Sequence, residues 1–275
     1  VFGDRRIQVK TPAQIHSMRA AGLVVGETLE LLGSRVRPGI STAELDRIAE
    51  EHIRDSGAEP SFLGYGEPPF PASICASVNE EVVHGIPGAR VLAEGDVISI
   101  DCGAIVDGWH GDAAITVPVG EIAAPVAELL RVTEEALWAG LAAVRPGGRV
   151  SDIGHAVETS VRAAGEYGIV EDYTGHGIGT AMHMAPDVPN YGRPGRGPRL
   201  KPGIALAVEP MVVLGDQASG IAPDEWTVVT LDGSWAAHYE HTFALTETGV
   251  WVLTALDGGR QQLTARGVPF GGPAD

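Results

Sequence analysis

Cysteine is nearly missing from this 275-residue chain, where only Cys75 and Cys102 occur. Two thiols so far apart exclude a disulfide framework and a cysteine-rich zinc knuckle. Both are expected as reduced thiols, so any bound metal must use histidine and carboxylate side chains. Basic residues are scarce too: Lys and Arg number 19 against 36 Asp and Glu, a formal net charge of -17. Phosphate attraction supplies most nucleic-acid affinity, so this balance argues against direct nucleic-acid binding. Ordinary solubility explains most of the acid excess, and the remainder is available for a cation site. There is no run of about eighteen apolar residues, which argues against a membrane span. The opening VFGDRRIQVKTP lacks an apolar signal segment. The expectation is a soluble cytoplasmic protein, one catalytic domain over residues 1–275.

Hydrophobic residues make up 44% of the chain, ample for a core. Ile15, Met18, Gly22, Val25, Leu29 and Leu32 recur at spacings of three and four, which predicts a helix over 12–32. Pro12 suits its first turn and Gly33 its stop. A second helix is predicted over 41–56, opened by the capping-box pair Ser41 and Glu44. A Gly- and Pro-rich loop over 57–72 and strand-like stretches near 73–84 and 91–101 follow. Asp107-Gly108 predicts a hairpin joining 97–103 to 109–119. Helices are expected near 122–143 and 150–164, and a second hairpin at Asp232-Gly233. The polar, Gly-rich stretch 257–275 is expected to be a flexible tail.

The chain also repeats itself. Arg37-Pro38-Gly39 and Arg145-Pro146-Gly147 head the second and fourth helices at an offset of 108 residues. At that offset Leu45 meets Ile153, Ile53 meets Val161, Gly95 meets Gly203 and Asp101 meets Glu209. An internal duplication explains this better than chance. It predicts two halves, about 12–120 and 121–255, related by a pseudo-twofold axis, with Asp101 and Glu209 at equivalent strand ends.

Asp101 ends an apolar strand and Asp112 begins the returning strand of the same hairpin; the two are expected nearly opposite across the ladder, so both can reach one cation. They are otherwise turn or edge residues with no joint role. Glu209 follows the apolar run IALAV, and Glu240 lies within AHYEHTFAL. A glutamate in a strand core is costly unless it is paired or ligated. A buried salt bridge is the competing account, yet only Arg199 and Lys201 lie near in sequence. His176 sits in GHGIG, whose glycines let the backbone approach a ligand. His183 follows it, and His84 ends a strand in EVVHGIP. Taken singly, each histidine reads as structural; together they gather beside four carboxylates. Such an oxygen-rich set suits hard or borderline divalent cations. Two such ions ~3.5–4 Å apart are the hardware of metal-assisted hydrolysis.

The runs SICASVNEEVVHGIPG, SIDCGAIVDGWHGDAAIT, GHGIGTAMH, LAVEPM and AHYEHT resemble, motif by motif and in order, the methionine aminopeptidases of the bacterial type I kind. The likeness covers about residues 10–255. It implies an α+β pita-bread fold: a curved antiparallel sheet backed by helices, with a pseudo-twofold internal repeat. It implies two divalent metal ions (Co, Mn, Fe or Zn) held by Asp101, Asp112, His176, Glu209 and Glu240. Asp112 and Glu240 would bridge both ions, and a substrate α-amine would bind one of them, restricting action to N-termini. Glu209 would pass a proton, His183 would hold the developing oxyanion, and His84 would contact the scissile amide nitrogen.

By motif position, Tyr65, Phe70, Cys75, Met182 and Trp226 are the implied methionine pocket, although each also reads as a core residue. The loop GYGEPPFP departs from the family's usual Gly-Tyr-x-Gly-Tyr-Pro by about two extra residues and is expected over the pocket mouth, against Trp226. The implied partners are N-terminal Met peptides and nascent chains, with a transient ribosome contact, and the implied state is a monomer. A related pita-bread peptidase of the Xaa-Pro aminopeptidase type usually carries a further N-terminal domain, for which this length leaves little space. A non-catalytic pita-bread binding protein would not need all five ligands.

Overall fold

The computed structural model describes residues 7–273. The helices are α1 (Pro12–Arg35), α2 (Thr42–Asp55), α3 (Ala124–Ala142), α4 (Val150–Ala164) and α5 (Arg260–Ala265). The first strands are β1 (Glu59–Pro60), β2 (Ile74–Val78), β3 (Glu81–Val83), β4 (Val97–Val106) and β5 (Trp109–Pro118). Then come β6 (Gly168–Ile169), β7 (Gly175–Gly177), β8 (Met184–Val188), β9 (Ala205–Val208) and β10 (Met211–Val213). The last are β11 (Ser219–Ile221), β12 (Val228–Thr230), β13 (Ala236–His238), β14 (Glu240–Leu245) and β15 (Val250–Val252).

The main sheet is antiparallel and runs β1-β4-β5-β14-β9-β7-β8, with β2 beside β4 and β15 beside β14. Its faces follow from the period of two along each strand. Ile98, Ile100 and Cys102 of β4, with Ala113 of β5, pack with Leu45, Ala49 and Ile53 of α2 and Leu29 of α1. Leu206 and Val208 of β9 pack with Ile153, Val157 and Val161 of α4. Burying each large aliphatic side chain contributes ~1.5–3 kcal/mol. The alternate residues, Asp101, Asp112 and Ala114 among them, are left on the face away from the helices. This is the architecture expected: helices on one side of a curled antiparallel sheet and a polar constellation on the other.

The duplication is visible in the backbone. Gly39 N–H donates to Leu92 O at 2.8 Å, and Gly147 N–H donates to Leu200 O at 2.8 Å. Leu92 N–H donates to Ile40 O as Leu200 N–H does to Gly148 O. Gly39 and Gly147 have φ of 90° and 81°, a left-handed turn that both halves need. Leu45, Ala49 and Ile53 of α2 occupy the places of Ile153, Val157 and Val161 of α4, all of them fully buried.

Several sequence expectations needed correction. α1 runs past Gly33 to Arg35, because Val36 N–H still reaches Leu32 O and closes one more turn. Ser41 accepts from Glu44 N–H, but the reciprocal half of the capping box is absent. The Asp232-Gly233 turn does not join a hairpin: β12 pairs with β11 and β3, whereas β13 pairs with β10. The predicted flexible tail is structured through residue 273. Leu263 of α5 is fully buried in the second half's core, and Gly271 N–H donates to Val250 O. Residues 1–6 and 274–275, which the domain and tail expectations include, lie outside the described residues.

Candidate metal centre

Three carboxylates converge through strand register. Asp101 of β4 and Glu240 of β14 both have Ala114 of β5 as their Cα partner, so the three lie in one row across the sheet. Asp112 stands two residues before Ala114 on β5, hence on the same face, and its own partner is Gly103. Asp101 and Asp112 are therefore diagonal neighbours rather than opposite ones. The hairpin that carries them closes on Asp107 (φ 49°) and Gly108 (φ 78°), the two-residue left-handed turn that the sequence signalled. Close helix contact fixes β5: a Cβ on Gly111 would lie 2.8 Å from Gly22 N of α1. The Asp112 backbone is then held by Thr242 Oγ1, which donates to Asp112 O at 2.8 Å.

Glu209 and His176 arrive from the second half. Glu209 leaves the end of β9, with its carbonyl accepting from Asn190 Nδ2 at 3.0 Å. His176 lies at a register shift between His176 and Gly177 where β7 meets β8, a bulge that re-aims the side chain. The glycines around it serve neighbouring strands rather than a ligand. Cβ atoms on Gly175 and Gly177 would lie 2.4 Å from Ala207 O and 2.2 Å from Ala185 O. His176 Nδ1 faces Gly177 O at 3.0 Å, so its proton is donated there and Nε2 is left as a lone-pair donor. That Nε2 lies 3.7 Å from Asp112 Oδ2 and 3.5 Å from Glu209 Oε1. These spacings are long for hydrogen bonds and ordinary for co-ligands of one ion.

The electrostatics fit a cation. Burial raises Asp101 to about 7. Burial first, and then the charges of the neighbouring carboxylates, pushes Asp112, Glu209 and Glu240 well above the usual carboxylate range. Asp101 Oδ1, Asp112 Oδ1 and Glu240 Oε1 are buried without a hydrogen-bond partner. Clustered buried anionic oxygens without donors are costly by themselves and suited to divalent ions. Asp112, His176 and Glu240 each offer an atom within 4.8 Å of the others, as do Glu209, His238 and Glu240.

Beside this cluster lies a cavity of about 140 Å³. Its lining brings together every residue that the sequence reading nominated: Tyr65, Phe70, Cys75, His84, Met182, His183 and Trp226, with the five candidate ligands. Phe70 and Trp226 meet edge to face at 5.2 Å. The loop over 64–71 does lie against Trp226, for a Cβ on Gly66 would come within 2.5 Å of its ring. Asp224 holds that tryptophan's backbone, accepting from Trp226 N–H at 3.0 Å. Burial lowers His84 to about 4, with His183 adding to the shift. Burial, then His110, lowers His183. Burial brings His176 to about 3. These histidines are therefore neutral near pH 7. The sequence reading did not count Phe62, Ile86 and His238 as site residues; the first two pack with the pocket's apolar cluster and the third faces Glu209 and Glu240. The place of His238 two residues before Glu240 hints at a shared face, but its approach to Glu209 is set by the fold.

Known proteins resemble this chain in sequence and fold. The profile of metallopeptidase family M24 matches residues 16–247. The methionine aminopeptidase of Clostridium acetobutylicum is 53% identical over 252 residues, covering 91% of this chain and 100% of that protein. Methionine aminopeptidase 1 of Mycobacterium tuberculosis is 52% identical over 258 residues, covering 92% and 96%. The crystal structure of methionine aminopeptidase from Thermotoga maritima superposes with a TM-score of 0.88 at 41% identity, over 91% of this chain and 100% of that one. A prolidase from Pyrococcus furiosus, 20% identical with a TM-score of 0.71, covers 90% of this chain and 65% of its own and shares the fold. With the M24 profile spanning most of its length and half its residues identical to these relatives, the chain belongs to metallopeptidase family M24, among the methionine aminopeptidases.

Proposed function

We propose that the chain removes methionine from the N-terminus of peptides and nascent proteins by metal-dependent hydrolysis, with Asp101, Asp112, His176, Glu209 and Glu240 holding two divalent cations. The observation that carries this reading is the set of partnerless, buried carboxylate oxygens from three adjacent strands opening onto an apolar cavity. When bound, divalent cations such as Co, Mn, Fe or Zn supply Lewis-acid polarisation and lower the pKa of water. The chain's own groups do the rest. The Glu209 carboxylate takes a proton from the attacking water and passes it to the leaving amine. His183, neutral and facing the cavity, donates an N–H to the developing oxyanion. His84 contacts the scissile amide nitrogen.

Tyr65, Phe70, Cys75, Met182 and Trp226, with Phe62, enclose the methionine side chain, whose thioether makes favourable contacts with ring edges. Relatives at about half identity carry the methionine aminopeptidase name, whereas the likeness to prolidase is one of fold. Among the described residues no helix is long and apolar enough to cross a membrane. On this reading the enzyme is a cytoplasmic monomer that works on chains emerging from the ribosome, in transient contact with it. The test is hydrolysis of Met-Gly-Met-Met against an Xaa-Pro peptide, with Mn, Co or Fe supplied. Absence of turnover of the Met peptide with every metal would overturn the proposal.

A further inference from the structure

His238 is a buried polar side chain beside the cluster that the reading above leaves without a task. It ends β13, is 1% exposed, and its Nε2 has no hydrogen-bond partner. Its backbone is clamped: His238 N–H donates to Thr116 Oγ1 at 2.9 Å, and that hydroxyl donates to His238 O at 2.8 Å. Met211 of β10 pairs with it across the sheet. The ring is therefore held in place, and Nε2 is aimed at the carboxylates, 3.9 Å from Glu209 Oε2 and 4.0 Å from Glu240 Oε2.

A buried imidazole nitrogen with no partner is costly, and one that faces two carboxylates is placed to make a compensating contact. Both distances are too long for a hydrogen bond. They resemble those of His176, whose Nε2 stands 3.5 and 3.7 Å from its own two carboxylates. Atoms that share one ion at ~2.1 Å in tetrahedral geometry lie ~3.4 Å apart, so closing the His238 trio takes a contraction of ~0.5 Å. Glu240 belongs to both trios, so a second nitrogen enters the same centre from the opposite side of Glu209.

We infer that His238 is a sixth metal-binding side chain, which places a second imidazole nitrogen on the cation side shared by Glu209 and Glu240. This rests on the metallopeptidase reading and sharpens it. A site with two imidazoles shifts from oxygen-preferring ions toward Zn, Co and Fe, since imidazole suits those over Mn.

X-ray absorption of the Zn- or Co-loaded protein counts imidazoles per centre. Two are expected in the wild type and one in His238→Gln, which keeps a donor facing the carboxylates but loses the imidazole nitrogen. Chelator competition is expected to show the weaker-bound ion released at least ~10-fold more readily from His238→Gln, with Mn losing less than Zn. If the wild type binds its ions through one imidazole and cleaves Met peptides, the inference is wrong and the metallopeptidase reading stands. If the wild type binds no divalent ion, both fall. Unchanged affinity and imidazole count in a folded His238→Gln also overturns the inference, and the wild-type count decides alone if that variant does not fold.

Discussion

Tyr65 Oη lies 2.6 Å from His183 Nδ1, which ties the loop over the cavity to the histidine that faces its floor. Burial, and then the charge of Asp112, pushes the Tyr65 phenol above its usual range, so it keeps its proton and donates it. Nδ1 is then an acceptor, and a neutral His183 carries its proton on Nε2, the nitrogen left to act as a donor. The His183 ring is steadied further by His176, at 4.3 Å between centroids.

Tyr65→Phe should therefore lower kcat by roughly 10- to 100-fold, the size typical of losing an orienting partner, while metal content is kept. Nitrogen-15 spectra of His183 report the tautomer directly. An unchanged tautomer together with unchanged kcat would show that the contact is incidental.

His176→Ala and Asp112→Ala should bring turnover to background and release at least part of the bound metal, read by metal analysis of the purified variants. Near-native turnover of either variant with metal supplied would mean the ligand assignment is wrong.

His84 sits at φ 60°, a left-handed conformation that a Cβ disfavours by ~1–2 kcal/mol. His84→Ala should lose far more kcat than metal occupancy. His84→Gly should lose the same activity yet melt higher than the alanine variant, because glycine removes the strain. Loss of both metals in His84→Ala would count against the assigned role, and equal melting of the two variants against the strain.

The carboxylates of the metal-free site have folded-state values raised above the unfolded ones, with Asp101 at about 7. These carboxylates bind more protons in the folded chain from pH ~4 upward, but His84 and His176, lowered to about 4 and about 3, oppose them up to the unfolded histidine value of ~6.5, so the clear fall of stability with rising pH lies above ~6.5. Chelator-stripped protein should melt higher near pH ~6.5 than near pH ~8.5, and adding metal should release protons and flatten the difference. Calorimetry in buffers of unlike ionisation enthalpy measures the proton release; no buffer dependence would contradict the raised values.

Asp46 of α2 accepts from Ser73 N–H at 2.8 Å and Ile74 N–H at 3.1 Å, which fixes the start of β2 beside Asp101. Asp46→Ala leaves two backbone donors without this acceptor and should cost ~1–3 kcal/mol in denaturant unfolding. Asp46→Asn, which keeps a carbonyl oxygen, should cost less.

Much of this was legible in the residues. The repeat that matches Leu45 with Ile153 and Ile53 with Val161 marked the inner faces of α2 and α4, because residues four or eight apart share one face of a helix. The Asp107-Gly108 turn fixed the hairpin, and the offset of 108 residues revealed the two halves. Motif order nominated the five candidate ligands and the candidate pocket walls, which the fold brings to one cavity. These are local or repeated signals, carried by chemistry that neighbouring residues share.

Tertiary structure alone decided what depends on partners far along the chain. Asp232-Gly233 is a turn by sequence, but its flanking strands join different sheets because β3 and β10 claim them. The stretch after Asp257 looks like a loose tail by composition, yet Leu263 finds a buried place in the second core. The aim of His176 comes from a bulge where β7 meets β8. His238 belongs to this second group: alone it is one histidine in a strand, and it reaches Glu209 only because the sheet curls and brings the end of β9 to it. Backbone pairing between strands well separated in the chain sets such distances, and no short window of the sequence contains both partners.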